Sequence, residues 1–217
     1  MSLNVSDNGG ATYAPIPEDT YIAVCYGVID LGMQYNERYG NSSNKVMLLW
    51  ELPDLQEEGQ DLPRTFSQKY TASLNSKSAL RRDLAAWRGR DFTDRELEAF
   101  DLRNILGVPC LLQIIHKESN GRIYANLASI TKLPKSMSAP RAQHELMSFD
   151  LDEDPIEDLA KVPKWIVDII KESETFKARL DAEHGRSRRQ PVDVENDDGS
   201  YYGGSFEEDE ESDALPF

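Results

Sequence analysis

Residues 65–90 read TFSQKYTASLNSKSALRRDLAAWRGR, and the spacing of the apolar positions changes within this one stretch. At first Phe66, Gln68 and Tyr70 alternate with Thr65, Ser67 and Lys69, the two-residue repeat of a strand lying on a core. Further on, Leu80, Leu84 and Trp87 recur at helical spacing; Asn75 or Ser76 stands where a cap is needed, and Gly89 stops the run. A strand leading directly into a short helix is the pivot of the chain, and the elements on either side of it decide the fold.

Upstream, residues 19–32 form a long strand whose middle, YIAVCYGVIDL at 21–31, is rich in β-branched and aromatic side chains. Gly27 lies where a small barrel needs a sharp bend. Residues 33–44 read as a polar loop holding Tyr35, Arg38 and Tyr39. Residues 45–52 make a second strand, with Val46, Leu48, Trp50 and Leu52 on one face and Lys45, Met47, Leu49 and Glu51 on the other. Pro53 ends that strand, residues 54–61 are an acidic turn, and the third strand covers 62–71. Downstream, Thr93-Asp94-Arg95-Glu96 is a capping box that opens a second short helix running to Phe100. Residues 108–117 and 122–133 are two more strands, joined by the hairpin turn Ser119-Asn120-Gly121.

Three strands, a helical insert and a two-stranded hairpin is the element order of an OB-fold, a small five-stranded barrel. Such barrels bind oligonucleotides across strands two and three and at the loops joining strands one to two and four to five. The expected architecture is therefore mainly β: an OB-fold barrel over residues 19–135, with its helical insert between strands three and four. Residues 1–18 read as a loose arm and 136–162 as a linker, Pro- and Ser-containing and then acidic. Pro163 suits the first turn of an amphipathic helix through residue 183, with Trp165, Ile166, Ile169 and Ile170 on its apolar face. That face has to pack on the barrel or on another subunit, so a homodimer is one way of burying it. Residues 184–217 read as a disordered acidic tail.

The formal net charge of −15 is unevenly distributed. Residues 1–135 hold 15 Lys/Arg against 17 Asp/Glu, whereas residues 136–217 hold 9 against 22. Within residues 64–90, Arg64, Lys69, Lys77, Arg81, Arg82, Arg88 and Arg90 face Asp83 alone. Charges further apart than about 8–10 Å are screened at physiological salt, so a local basic surface can hold phosphate despite an acidic tail. The tail carries its own signal. Glu207-Glu208-Asp209-Glu210-Glu211-Ser212-Asp213 is almost wholly acidic and is followed by Ala214-Leu215-Pro216-Phe217. The acidic run steers the segment toward basic surfaces, and a buried Phe ring is worth about 1.5–3 kcal/mol as an anchor. Asp213, Leu215, Pro216 and Phe217 are thus partner-binding candidates, and the same tip could instead occupy a nucleic-acid groove until phosphates arrive.

Holding a single strand needs aromatic faces for bases and cations for phosphates, each stacked base contributing about 1–3 kcal/mol. Tyr35, Arg38 and Tyr39 fall in the loop between strands one and two, where they have no apolar company. Lys45 and Lys69 lie in strands two and three. Tyr70 follows Lys69 and shares a face with Phe66, so it either packs or stacks. Lys77, Arg81 and Arg82 begin the inserted helix, and Arg122 with Tyr124 leaves the loop between strands four and five. Trp50 and Trp87 belong to apolar stripes and read as core, as do Cys25 and Cys110 in their apolar runs, which fit a reducing compartment.

Catalysis, metals and cofactors find no support. His116, His144 and His184 are scattered, the two cysteines make no CxxC pair, and no Gly-rich phosphate loop or GxSxG elbow occurs. The acids of residues 150–158 lack the glycine and closing Glu of a Ca²⁺ loop. No apolar run approaches the roughly 18 residues of a membrane span, and the N-terminus has no signal-peptide h-region, so the expectation is a cytosolic, non-enzymatic protein.

KVMLLWELP (45–53), KYTASLNSKSALRRDLAAWRGR (69–90) and the stretches 100–117 and 122–135 together resemble phage and prophage OB-fold proteins that bind single-stranded DNA. The tip at 207–217 resembles the wider class of such proteins, which end in an acidic stretch, an apolar residue, proline and phenylalanine. The resemblance covers roughly residues 19–183. It implies a non-catalytic accessory of replication or recombination in the cytoplasm of a bacterial host, coating exposed strands and recruiting replication or recombination proteins through its tail. The helical insert is longer than in better-known bacterial relatives, and the helix after Pro163 has no counterpart in them. The alternative is an acidic interaction module or inhibitor whose tail mimics nucleic acid, with the basic span at 64–90 incidental.

Overall fold

A computed structural model of the chain describes residues 14–56 and 59–187, with side-chain burial through residue 183. Six strands form one open, mainly antiparallel sheet: β1 (Asp19–Asn36), β2 (Asn41–Glu51), β3 (Thr65–Thr71), β4 (Pro109–Ser119), β5 (Arg122–Lys132) and β6 (Met147–Phe149). The hydrogen-bonded order is β3-β2-β1-β4-β5, and β6 pairs parallel to β1. Helix α1 (Ala79–Arg88) and helix α2 (Asp94–Glu98) lie between β3 and β4; α3 (Lys164–Glu172) and α4 (Glu174–Ser187) follow β6.

β1 is long enough to serve two neighbours. Its first part, from Asp19 to Val24, pairs with β4, and the rest pairs with β2. The change of partner coincides with a register shift between Cys25 and Gly27. Gly27 is needed there for space: a Cβ would come within 2.7 Å of Leu49 Cδ1. The β4–β5 turn is a two-residue hairpin loop, with Asn120 at φ 54° and Gly121 at φ 72°. Positive φ at both central positions matches the twist of the flanking strands.

Two cores lie on opposite faces of β1 and β2. Val46, Leu48, Trp50, Phe66, Leu84, Trp87, Leu112 and Ile130 form the first, which α1 closes by packing on β5 and β3. Ser78, rather than Asn75 or Ser76, caps α1 by accepting from Arg81 N, and Gly89 ends it in the left-handed conformation at φ 70°. The capping box at Thr93 and Glu96 forms as its sequence predicts.

The second core replaces what the sequence presents as linker and lone helix. Met47 and Leu49, on the far face of β2, are covered by Phe149, Leu151, Leu159, Val162, Ile166, Ile170 and Phe176. Residues 136–162 therefore contain a strand, a 3₁₀ turn (Ile156–Lys161) and buried side chains. They are held in part by Glu51, fully buried, whose carboxylate accepts from Gln143 N, His144 N and His144 Nδ1 at 2.8–3.0 Å. The expected single helix over 163–183 is two, broken at Ser173, whose hydroxyl accepts from Phe176 N. Its apolar face needs no second subunit, since Ile166 and Ile170 are buried on the sheet; Trp165, placed by sequence on that face, is 49% exposed. The arm is partly tied as well: Ile16 is in the first core and its carbonyl meets His116 Nε2 at 2.7 Å. No helix among the described residues is long and apolar enough to cross a membrane.

Candidate functional site

At the open side of the sheet, β3 and β5 are both edge strands, and the space between them is a cleft of about 280 Å³. Its walls come from Lys45 of β2, Gln68, Lys69 and Thr71 of β3, Arg82 and Asp83 of α1 and Leu127 of β5. The cleft runs along the edge of β3 and takes residues from both of its faces, Gln68 and Lys69 being neighbours in the strand. Lys45 pairs in register with Thr71 and Met47 with Lys69, so Lys45 and Lys69 lie diagonally across one sheet face. Lys45 Nζ donates to Thr71 Oγ1 at 2.7 Å, while Lys69 makes no ion pair among the described residues. Arg82 is 72% exposed and donates to Asp83 Oδ1 at 2.9 Å, which raises its pKa above the ordinary guanidinium value.

Tyr70, which the sequence leaves between packing and stacking and which is a candidate for the strand-binding surface, packs: it is 4% exposed and lies in the first core beside Phe66. Its hydroxyl donates to Asp83 Oδ2 at 3.0 Å, and burial, followed by the Asp83 charge, pushes its pKa well above 10.0. It shapes the cleft wall and presents no ring to a base.

The flanking hairpins carry free aromatic faces. Tyr35 lies in β1, opposite Ser42, because the strand runs to Asn36 through the expected loop. Tyr39 is in the turn, where its N–H and that of Gly40 donate to Asn36 O, and Arg38 sits 5.7 Å from its ring centroid. Tyr35 and Tyr39 are 61% and 70% exposed. On the other hairpin Tyr124 is 48% exposed, Arg122 is exposed, and Lys117 stands directly opposite Tyr124 on β4. Ser42, the partner of Tyr35, is three positions along β2 from Lys45, and Tyr124 is three positions along β5 from Leu127. At about 3.3 Å per residue, each aromatic lies roughly 10 Å along its strand from the cleft.

The basic span at 64–90 is largely spoken for. Arg81 makes a two-pronged pair with Asp91 at 3.1 and 3.2 Å. Arg88 pairs with Glu96 and lies over the Phe92 and Phe100 rings at 4.4 and 5.1 Å. Arg90 also grips Glu96, at 2.7 and 2.9 Å, and Arg64 Nη2 donates to Ala14 O. These bonds hold the Glu96 carboxyl far below its ordinary pKa, with Arg90 the largest cause. Of the cations the sequence singles out there, Lys69 and Lys77 are exposed and without an ion pair among the described residues. Lys117 was missed, although counting back from the Asn120-Gly121 turn places it opposite Tyr124. Asp213, Leu215, Pro216 and Phe217 lie outside the described residues.

The cleft thus offers cations for anionic groups between two exposed aromatic flanks. Among the described residues no group of His, Cys, Asp and Glu is arranged to hold a metal ion. Comparison with protein-family models gives no match, and comparison with curated proteins gives none.

Proposed function

We propose that this protein binds single-stranded DNA without sequence specificity and without catalysis, in replication or recombination of the phage type, and that its acidic tip recruits partner proteins. On this reading the sheet is an OB barrel: the order β3-β2-β1-β4-β5, with α1 between β3 and β4, is the one such a barrel requires, and its seam is the β3–β5 cleft. The observation that carries the proposal is the convergence of Lys45, Lys69 and Arg82 on that seam. Phosphates would be neutralised in the cleft, and bases would stack on Tyr35, Tyr39 and Tyr124 at the flanks. The second core puts α3 and α4 over β1 and β2, which directs the strand along β3 instead of across the middle of the sheet.

A labelled single strand of about 30 nucleotides, titrated by fluorescence anisotropy at several salt concentrations, tests this against duplex of equal length. Salt-dependent binding to the single strand alone is the expected result. Equal or absent binding favours the second reading, an acidic interaction module, which the internal pairing of Arg81, Arg88 and Arg90 supports.

A further inference from the structure

A second groove, of about 750 Å³, lies at the far end of α1 from the cleft. Val108, Leu133 and Met137 supply its accessible apolar lining over the buried Trp87 and Ile105, and the polar lining is Lys132, Lys135 and the Arg88–Glu96 pair. Val108 and Met137 are 38% and 45% exposed, so this is open apolar surface. Both lysines are exposed and have no ion pair among the described residues. An apolar trough with an unpaired cationic rim fits a segment that alternates apolar anchors with acids.

The chain contains such a segment. Phe206 precedes the acidic run from Glu207 to Asp213, and Leu215, Pro216 and Phe217 follow it. We infer that residues 206–217 dock in this groove on their own chain, with apolar side chains against Val108 and Met137 and the acids facing Lys132 and Lys135. The eighteen residues from 188 to 205 would tether the segment, and a chain of that length spans up to about 60 Å when extended. Tethering raises the local concentration of the segment to the order of mM, so modest contacts suffice to fill the groove. Docking there leaves the β3–β5 cleft open. It withholds the tip from other proteins until a competitor displaces it, and it does so whatever the cleft binds.

The test uses the full chain with p-benzoylphenylalanine in place of Phe217. Irradiation is expected to crosslink it within one chain to Met137 or its groove neighbours, as read by peptide mass spectrometry. Lys132→Glu with Lys135→Glu should lower that yield roughly tenfold by turning rim attraction into repulsion, with the thermal unfolding midpoint unchanged. Crosslinks to the β3–β5 cleft, crosslinks joining two chains, or the absence of any crosslink would each overturn the inference, as would a yield indifferent to the lysine reversals.

Discussion

Replacing Lys45 and Lys69 together by alanine is the sharpest perturbation of the proposed strand-binding cleft. Both line it, and neither is committed to a carboxylate among the described residues. For single strands the logarithm of the binding constant falls with the logarithm of salt by about 0.7 for each phosphate neutralised. Removing two ammonium groups should therefore flatten that slope by about 1.4. Taking 1 M salt as the point where the term vanishes, binding weakens roughly 14-fold at about 0.15 M and roughly 65-fold at about 0.05 M. The matched control is Arg90→Ala, which removes a guanidinium already bound to Glu96 and should change affinity less than about twofold. Anisotropy titrations across that salt range measure both variants, with urea unfolding to confirm that each keeps its fold. A slope unchanged in the lysine pair, or an equal loss in Arg90→Ala, would refute the reasoning.

Two further outcomes follow from packing and burial. Gly32 has φ +69°, and a Cβ there would meet Leu151 Cδ2 at 2.7 Å and Ser173 Oγ at 2.9 Å, whereas Gly40, at φ +60°, has nothing within 4 Å. Gly40→Ala should cost about 1–3 kcal/mol in backbone strain alone, and Gly32→Ala about 1–3 kcal/mol more through the contact; equal losses in urea denaturation would mean that residues 151–173 do not press on β1 as described. The buried Cys25 thiol is pushed by desolvation from 9.0 to about 12, and Cys110 is raised in the same way. A folded pKa above the unfolded one gives stability that is whole below about pH 9 and is lost as pH rises toward the folded value, by up to about 1.4 kcal/mol per pH unit for each thiol. Denaturant midpoints should fall between about pH 9 and about pH 10.5, less steeply in Cys25→Ala, and a variant with an identical slope would remove the thiol from the account.

The sheet was legible because its signals are local. Alternation in residues 65–71, the Asn120-Gly121 turn and the Thr93–Glu96 capping box each fix one element without help from distant residues. The missed parts depend on distant partners. Met47 and Leu49 alternate correctly with Val46 and Leu48, but nothing within β2 says whether the second face meets water or Phe149 and Ile170. Residues 136–162 lack a periodic run long enough to announce burial. Their place is fixed by three donors converging on Glu51, more than 90 residues away in sequence. An acid at the end of the apolar run Val46–Trp50 was the available clue, since a buried carboxylate requires partners.

The site divides along a similar line, and the division is chemical. Counting charge over residues 64–90 stops just short of Asp91 and Glu96, which accept from Arg81, Arg88 and Arg90. A planar guanidinium with several fixed donors suits carboxylates, carbonyls and aromatic faces, and here arginines tie α1 to the segment carrying α2. An ammonium is a compact, strongly hydrated charge on a flexible stem, and Lys69 and Lys77 are left at the surface without such bonds. The span that looked uniformly basic thus contains two populations: Arg81, Arg88 and Arg90, which build the helical insert, and Lys69, Lys77 and the largely exposed Arg82, which remain available to an anion. Pairing, more than density of positive charge, separates them, and it can be anticipated in sequence by extending the count a few residues past the last cation and asking whether the acids there follow a cap. Glu96 does, at the third helical position after Thr93, and so its two arginines were committed to structure.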